Sequence, residues 1–427
     1  MAKTKPKPPR KPRKGEDGLR PVSPPEKETL KPVRQTTTST PAQVVAGANA
    51  IQRKLGLHDP TLAIHRWFST GSTILNLAIN RGIPGGRLVE LSGPEGCGKT
   101  TLALDIIREA QELGGRGDYF DLEVGATAGI VGDMSRVSTD PEKWKLWRPT
   151  TAEDAFTAID LLIPVVGCLR KPCVIVLDSV PAIVPEAEHN TPYGEDAQLA
   201  GIARILSKFC RRNMVKLDTY PDVLILLINH VSTPFKAGMF EKQTYQTPGG
   251  RSMRYYPSVR LRFDKGGGTD VIETKRAKDE PKADAAKGVV KTIARERMNI
   301  VVWKNRLGSS HRQVTVPLSF IRDKSTGTTK GFDDARGVLE FLRDAKVLLN
   351  RKGENGGATG YWYLDGRPQD CRLWRQWVLA YNTHPATCEM LRDVVTLAAA
   401  KKWAPDEDQE EEFGEDLAML SDVPAMT

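Results

Sequence analysis

A glycine-rich segment at residues 93–100 constrains the fold of this 427-residue chain more than any other feature. It follows a short apolar run that begins at Leu88, and a helical pattern begins after it near Thr101. A strand, a glycine-rich turn and a helix in this order form a P-loop, in which backbone N–H groups and the positive end of the helix bind phosphate. The residues predicted to contact the nucleotide are Gly93, Pro94, Glu95, Gly96, Cys97, Gly98, Lys99, Thr100 and Thr101. Lys99 is expected to reach the β- and γ-phosphates and Thr100 to bind magnesium, so the sequence predicts a site for a nucleoside triphosphate.

Short apolar runs that end in polar residues recur along the chain. They lie at 88–91, 119–121, 174–178 and 223–229, and helical stretches are predicted at 101–113, 152–163 and 197–216. Strands that read as continuous apolar runs are buried on both faces, which is typical of a parallel sheet covered by helices. We therefore predict an α/β fold with a mostly parallel central sheet, in which ligands bind at the C-terminal ends of the strands.

The polar residues that close these runs are the candidate catalytic groups. Asp178 ends the most apolar of the predicted strands, which is the position of a Walker B carboxylate that supports magnesium. Aspartate at the end of a strand is also common in turns. Glu123 is placed to activate a water molecule as a general base. The alternative interpretation is that Glu123 is a solvated carboxylate in a surface loop. Asn229 and His230 close the next strand, where a polar side chain would sense the γ-phosphate and transmit its presence to the following loop.

The net charge of +9 is unevenly distributed. Residues 1–34 carry eleven basic and four acidic side chains, whereas the residues after Trp403 carry nine acidic side chains and none that is basic. Such tails are expected to be disordered, and the body between them is strongly basic. Either each tail only keeps the protein soluble, or the chain binds a polyanion and its acidic tail competes for the same surface.

The six cysteines are scattered, without a Cys-x-x-Cys pair. This spacing indicates a reduced intracellular protein without structural zinc. No run of about 18 apolar residues occurs, so we expect neither secretion nor membrane spanning.

The order of these motifs resembles the RecA recombinases of bacteria and their viruses. The similar segments are 69–72 and 85–101 around the P-loop, 177–188 at the Walker B strand, 228–230 at its neighbour, and 248–261 after the second loop. The resemblance spans about residues 66–345, and it implies a location in the bacterial cytoplasm or nucleoid, for a protein encoded either by a cell or by a bacteriophage. It implies that ATP and Mg²⁺ are the cofactors, with Lys99 and Thr100 on phosphate and metal, Asp178 supporting the metal and Glu123 as the base.

The resemblance also implies a composite site between protomers. Lys304 and Arg306 lie two residues apart in a predicted strand, so period-two alternation places them on the same side. In the family this pair of cations reaches the triphosphate of the neighbouring subunit, like an arginine finger. A head-to-tail contact that does not close generates a helical filament.

Two loops are expected to bind DNA by the same resemblance. Loop one corresponds to about 186–198 and loop two to about 231–248. The predicted DNA-binding residues are Arg204, Arg211, Val231, Phe235, Lys236, Phe240, Lys242, Gly249 and Gly250. Lysines would track phosphates while apolar side chains fill gaps between bases. Alternatively, Phe235 and Phe240 are buried in a folded surface loop, and the two arginines are solvated charges on a helix.

The chain departs from the family pattern at three places. His230 stands where the family usually has a glutamine. The segment after Glu123 lacks the aromatic residue that commonly packs against adenine in the family. A charged stretch at 265–297 is expected to be a mobile insertion outside the core. The predicted organisation is a disordered basic arm (1–40), an N-terminal oligomerisation helix and linker (41–65), the ATPase core (66–330), a small α+β C-terminal domain (331–403) and a disordered acidic tail (404–427).

These expectations favour a DNA-dependent ATPase that forms helical filaments on single-stranded DNA and exchanges strands with homologous duplex DNA. A hexameric helicase or DNA motor of the same core fold is the alternative. A filament regulator without catalytic activity is disfavoured by Glu123 and Asp178. Loader or single-strand-binding proteins are possible further partners.

Overall fold

The computed structural model describes residues 40–55, 64–126, 131–132, 136–192, 201–231, 247–275, 289–353 and 355–403. The chain divides into two units, residues 1–59 and 60–427. The described part of the first unit contains helix α1, Pro41–Lys54, at the place where the sequence predicts the N-terminal helix. Val45 and Ile51 of this helix are exposed.

The second unit contains the remaining helices and all the strands among the described residues. Its helices are α2 Thr73–Ile79, α3 Lys99–Glu112, α4 Ala152–Gly167, α5 Glu186–His189, α6 Gly201–Thr219, α7 Ser252–Tyr255, α8 Asp334–Asp344, α9 Trp374–Thr383 and α10 Pro385–Lys402. Its strands are β1 Trp67–Phe68, β2 Ile83–Pro84, β3 Arg87–Gly93, β4 Arg116–Asp121, β5 Trp144–Trp147, β6 Cys173–Asp178, β7 Val223–His230, β8 Val259–Lys275, β9 Val289–Asn305, β10 Gln313–Ser319, β11 Gly331–Phe332, β12 Leu348–Lys352, β13 Ala358–Leu364 and β14 Arg372–Leu373. No described helix combines the length and apolar character that crossing a membrane requires.

The central sheet has nine strands in the order β11-β10-β9-β8-β3-β7-β6-β4-β5. Neighbouring strands from β8 to β5 are parallel, and those from β8 to β11 are antiparallel. The prediction of an α/β fold with a mostly parallel sheet is confirmed. The sequence did not reveal β5, β10 or β11, because these strands are short or carry polar residues between their apolar ones.

The apolar runs fold as strands because both faces of the sheet are covered. On one face Val89, Val176 and Leu226 pack with residues of α2, α3 and α8. On the other face Leu88 and Ile225 pack with residues of α4 and α6. Full burial of a Leu, Ile or Val side chain stabilises the fold by roughly 1.5–3 kcal/mol. Burial of these apolar runs therefore stabilises the sheet independently of its polar contacts.

The charged stretch at 265–297 differs from the prediction of a mobile insertion outside the core. Strands β8 and β9 continue through it as an antiparallel hairpin, with pairing out to Lys275 and Val289. Ala294 of β9 is fully buried. Charged and small residues alternate in these strands, so their sequence does not show the apolar pattern that predicts a strand. Residues 276–288 lie outside the described part of the chain.

An ion cluster joins the base of this hairpin to helix α8. Arg297 of β9 donates hydrogen bonds to Glu340 of α8 at 2.8 and 3.2 Å. Arg295, also on β9, lies 3.8 Å from Asp333, the N-cap of α8. Burial raises the pKa of Asp333, against the hydrogen bond and the charges of neighbouring arginines. Arg295 and Arg297 of this stretch therefore form part of the folded structure.

The C-terminal α+β segment contains helices α8, α9 and α10 and a small sheet of strands β12, β13 and β14. Helix α9 begins at Trp374, because Arg372 and Leu373 pair with β13 as strand β14. The segment shares one hydrophobic cluster with residues of the central sheet, and Thr73 of α2 donates from its backbone N–H and its hydroxyl to Asp334 at 2.6 and 2.8 Å. It belongs to the same compact unit as the core.

Candidate active site

The glycine-rich segment forms a tight loop between the end of β3 and the start of α3. Gly98, the N-cap of α3, has φ 84°, a left-handed conformation that glycine adopts without strain. A Cβ atom on Gly93 would lie 2.5 Å from the carbonyl oxygen of Phe263 in β8, so only glycine fits there. The loop therefore follows from local backbone requirements as well as from phosphate chemistry.

The ammonium group of Lys99 lies inside this loop. Its Nζ donates to the carbonyl oxygens of Gly93 at 3.0 Å and Pro94 at 2.7 Å, and the side chain is 7% exposed. Cys97 points into the core, and its Sγ is 2.8 Å from the oxygen of Pro94. Burial raises the pKa of the Cys97 thiol, so its expected contribution to phosphate binding is through the backbone N–H.

The predicted metal residues Thr100 and Asp178 are brought together at the end of β6. Thr100 Oγ1 donates to Asp178 Oδ2 at 2.9 Å, and Tyr119 Oη donates to the same oxygen at 2.5 Å. Burial raises the pKa of Asp178, and these two hydrogen bonds oppose that shift. A hydroxyl and a carboxylate are hard oxygen ligands of the kind that Mg²⁺ prefers.

This donor set fits magnesium bound mainly through nucleotide phosphates. No group of three or more His, Cys, Asp or Glu side chains among the described residues is arranged to hold a metal ion. Mg²⁺ keeps several of its waters and typically takes one or two protein ligands beside substrate phosphates. Thr100 and Asp178 supply such a pair at the P-loop.

Glu123 lies just beyond the end of β4, beside the P-loop and β6. Its Oε1 accepts a hydrogen bond from Ser179 Oγ and lies 3.2 Å from His230 Nε2. The side chains of Glu123 and His230 are 44% and 38% exposed, so water reaches this carboxylate. Asp121 instead accepts from the backbone N–H groups of Gly125 and Ala126, and its role is to shape the turn after β4.

A buried polar network connects this site to the end of loop two. Asn229 Nδ2 donates to Glu90 Oε1 at 2.8 Å and to the carbonyl oxygen of Pro248 at 3.0 Å. Arg260 forms an ion pair with Glu90 and donates to Thr247 Oγ1 at 3.2 Å. Glu90, Asn229 and Arg260 are buried, so each polar group depends on the others for its hydrogen bonds.

Gly249 and Gly250 follow this network and pack on helix α6. Their φ angles are 93° and 66°, and a Cβ atom on Gly249 would lie 2.6 Å from Leu206 Cδ2. Glycine is therefore required where loop two meets the helix that follows loop one. Arg204 and Arg211, seven residues apart, are exposed on that helix.

The other predicted DNA-binding residues are only partly within the described chain. Val231 is half-buried directly after β7. Phe235, Lys236, Phe240 and Lys242 lie outside the described residues, and their DNA contacts stay a prediction.

Lys304 and Arg306 converge on one backbone group, as the period-two argument predicts. Lys304 Nζ donates to the carbonyl oxygens of Arg254 and Tyr255 at 2.9 Å each, and Arg306 donates to that of Tyr255. These carbonyls belong to the end of α7, which follows Gly249 and Gly250 in the chain. Partial burial, Arg306 and Arg260 lower the pKa of Lys304 to about 8.

Sequence reasoning did not assign roles to Tyr119, Ser179, Glu90 or Arg260. Tyr119 precedes Asp121 by two residues on β4, so strand periodicity places both on one face, beside the neighbouring strand β6. That signal was available for Tyr119. The pairing of Glu90 with Arg260 depends on β3 lying next to β8, which no local pattern reveals.

Comparison with known proteins gives a consistent result. Residues 44–320 match the model of the RecA N-terminal domain family. The chain is 30% identical over 302 residues to Protein RecA of Azoarcus sp. strain BH72, covering 67% of this chain and 82% of that protein. It is 29% identical over 287 residues to Protein RecA of Mycoplasma mobile, covering 67% of this chain and 75% of that protein.

A shorter but closer similarity reaches a eukaryotic protein. The chain is 37% identical over 202 residues to the mitochondrial DNA repair protein recA homolog 3 of Arabidopsis thaliana. That similarity covers 47% of this chain and 45% of the Arabidopsis protein. It therefore leaves more than half of each chain unmatched.

Proposed function

The chain belongs to the RecA family of DNA recombination and repair proteins, and we propose that it is a DNA-dependent ATPase that forms helical filaments on single-stranded DNA. In this proposal the filament aligns homologous duplex DNA and exchanges strands with it. ATP binding maintains the active filament, and hydrolysis releases it.

The observation that carries the proposal is the contact path from Glu123 to loop two. Glu123 touches His230, the neighbouring Asn229 binds the carbonyl of Pro248, and Gly249 packs on α6. A nucleotide that changes the contacts of His230 would thereby bias the position of the DNA loop. By linkage, DNA bound at the loop would change nucleotide affinity by the same factor.

Within the site each residue has a defined chemical task. Lys99 would exchange its carbonyl contacts for phosphate oxygens, and Thr100 with Asp178 would hold Mg²⁺. The bound ion would neutralise phosphate charge. Glu123, exposed to water and oriented by Ser179, would accept a proton from the attacking water.

Lys304 and Arg306 would complete the site of the adjacent protomer. Lys304 lies near the end of β9 and Arg306 directly follows that strand, and both donate hydrogen bonds to backbone carbonyls of α7. Two cations supplied in trans would stabilise the negative charge that spreads over the transferred phosphoryl group. Helix α1, with its exposed Val45 and Ile51, would dock on a neighbour and set the direction of the filament.

DNA would bind along the surface formed by the two loops and α6. Arg204 and Arg211 would contact phosphates, and loop two, from Val231 to the Gly249–Gly250 turn, would contact the strand with Phe235, Lys236, Phe240 and Lys242. A hexameric motor of the same fold remains the alternative. The Lys304/Arg306 pair and the C-terminal segment favour the recombinase.

Negative-stain imaging with single-stranded DNA and a non-hydrolysable ATP analogue tests the proposal. We expect helical filaments that require both ligands. Lys99→Ala, which removes the phosphate-binding ammonium, should abolish the nucleotide-dependent filaments while leaving the monomer folded. Closed rings would support the motor, and monomers with the wild-type protein would overturn the filament proposal.

A further inference from the structure

Tyr119 contributes its hydroxyl to the magnesium site, although it is not itself placed to bind the ion. The residue is 1% exposed, and its ring lies 5.7 Å from that of Trp144. Its strand pairs in parallel with β6, with Asp121 opposite Asp178. The phenol therefore reaches Asp178 from the neighbouring strand, while Thr100 reaches it from the P-loop helix.

Both donors act on the same carboxylate oxygen. Thr100 Oγ1 and Tyr119 Oη donate to Asp178 Oδ2 at 2.9 and 2.5 Å. Within the described part of the chain, Oδ1 accepts no hydrogen bond from a protein group. Two donors on Oδ2 fix the orientation of the Asp178 carboxylate and leave Oδ1 available to the coordination shell of a bound magnesium ion.

The two donors are not equivalent. Thr100 is itself an expected metal ligand, so its hydroxyl is shared between the ion and Asp178. Tyr119 is not an expected metal ligand, and its hydroxyl interacts with Asp178 and Thr100.

We propose that Tyr119 is a positioning residue for magnesium: its hydroxyl holds Asp178 in the orientation that supports the metal bound with ATP. The inference rests on the proposed nucleotide site, and it assigns to Tyr119 an effect on metal affinity that is separate from phosphate binding. Groups that orient metal-supporting ligands typically change metal affinity or activity by 10–100-fold when they are removed.

The test compares Tyr119→Phe with Tyr381→Phe in the full-length protein. Tyr381 donates to Asp334 at 2.6 Å, so the control removes a similar tyrosine–aspartate hydrogen bond that involves neither Thr100 nor Asp178. Binding of a fluorescent non-hydrolysable ATP analogue is titrated with Mg²⁺, and binding in EDTA is measured separately. The phenylalanine ring preserves the packing on Trp144, and thermal melts of both variants confirm folding.

For Tyr119→Phe we expect the Mg²⁺ concentration at half-maximal binding to rise about 10-fold, with affinity in EDTA unchanged. Tyr381→Phe should match the wild type in both measurements. In an Asp178→Asn background, Tyr119→Phe should have no further effect on the Mg²⁺ dependence, because the proposed effect acts through that carboxylate.

Two results would overturn the inference. One is a Mg²⁺ dependence of Tyr119→Phe that matches the wild type. The other is an equal loss of affinity with and without Mg²⁺, which would mean that the hydroxyl supports the P-loop generally. If the wild-type protein binds no nucleotide, the proposed function itself fails, and that outcome is distinct from both.

Discussion

Single atoms of the candidate site have more than one partner, and this sharing determines how the site responds to change. Glu123 Oε1 accepts from Ser179 and contacts His230, while Asp178 Oδ2 accepts from Thr100 and Tyr119. A substitution at any donor therefore changes the orientation of a carboxylate as well as removing one bond. The catalytic role proposed for Glu123 and the metal-supporting role proposed for Asp178 depend on these donors.

The charge of Lys304 leads to a pH prediction. Its pKa is lowered to about 8, so the ammonium loses its proton as the pH rises through 8, and the neutral amine no longer stabilises phosphate charge. We expect DNA-stimulated ATP hydrolysis to fall between pH 7 and pH 9. Lys304→Arg keeps its charge over this range, because the guanidinium pKa is above about 12, and should show a flatter profile.

Steady-state hydrolysis at saturating ATP and DNA, measured from pH 7 to pH 9, checks this prediction. The ratio of variant to wild-type rate should increase with pH. Parallel profiles would show that Lys304 stays charged in the assembled filament or has no catalytic role.

The residues that sequence reasoning identified are those with fixed spacing or a fixed place in a motif. Lys99 and Thr100 follow from the P-loop, and Asp178 follows from its position at the end of an apolar strand. Tyr119 and Ser179 act through contacts between different strands and loops. Their roles therefore required the tertiary structure, although the face on which Tyr119 lies was predictable.

At the level of elements, strand order decides which residues meet. The adjacent strands β3, β7 and β8 bring Glu90, Asn229 and Arg260 together under the end of loop two. The parallel strands β3, β4, β6 and β7 were predictable from their apolar runs. The β8–β9 hairpin was not, because it is stabilised by pairing and by the Arg297–Glu340 ion pair, and its sequence resembles that of a solvated linker.

The composite site that we propose between protomers leads to a complementation prediction. Lys304→Ala with Arg306→Ala should reduce ATP turnover by about 10³-fold or more, as loss of an arginine finger does. Glu123→Gln should reduce it by about 10²–10⁴-fold, as loss of a general base does. An equal mixture of these two proteins should regain activity, because the intact P-loop and base of one protomer meet the intact cations of the other.

Random mixing in a head-to-tail filament makes about one quarter of the interfaces complete, so turnover should recover to about that fraction of the wild-type rate. A mixture of Glu123→Gln with Lys99→Ala is the matched control, because both defects lie in the same half of the site. Recovery in the control, or none in the test mixture, would contradict an active site shared in this way.

At the scale of the whole molecule, the distribution of charge was evident from the sequence. Its effect on DNA binding depends on where the fold places the charged residues. The basic residues of the body include the exposed Arg204 and Arg211 on α6. The nine acidic residues after Trp403 follow directly on α10, the last described helix. A negatively charged tail attached to a basic body competes with DNA for cations, and salt weakens this competition.

We therefore expect truncation after Trp403 to strengthen binding of duplex DNA, most clearly at low salt. A full-length variant in which every acidic residue after Trp403 is replaced by its amide should behave like the truncation, because it removes charge and keeps length. Fluorescence anisotropy across a salt series measures both. The affinity gain should shrink as salt rises, since ions screen the tail and the DNA alike. Equal affinities for all three proteins would show that the tail does not compete with DNA, and a gain in the truncation alone would assign the effect to the length of the tail.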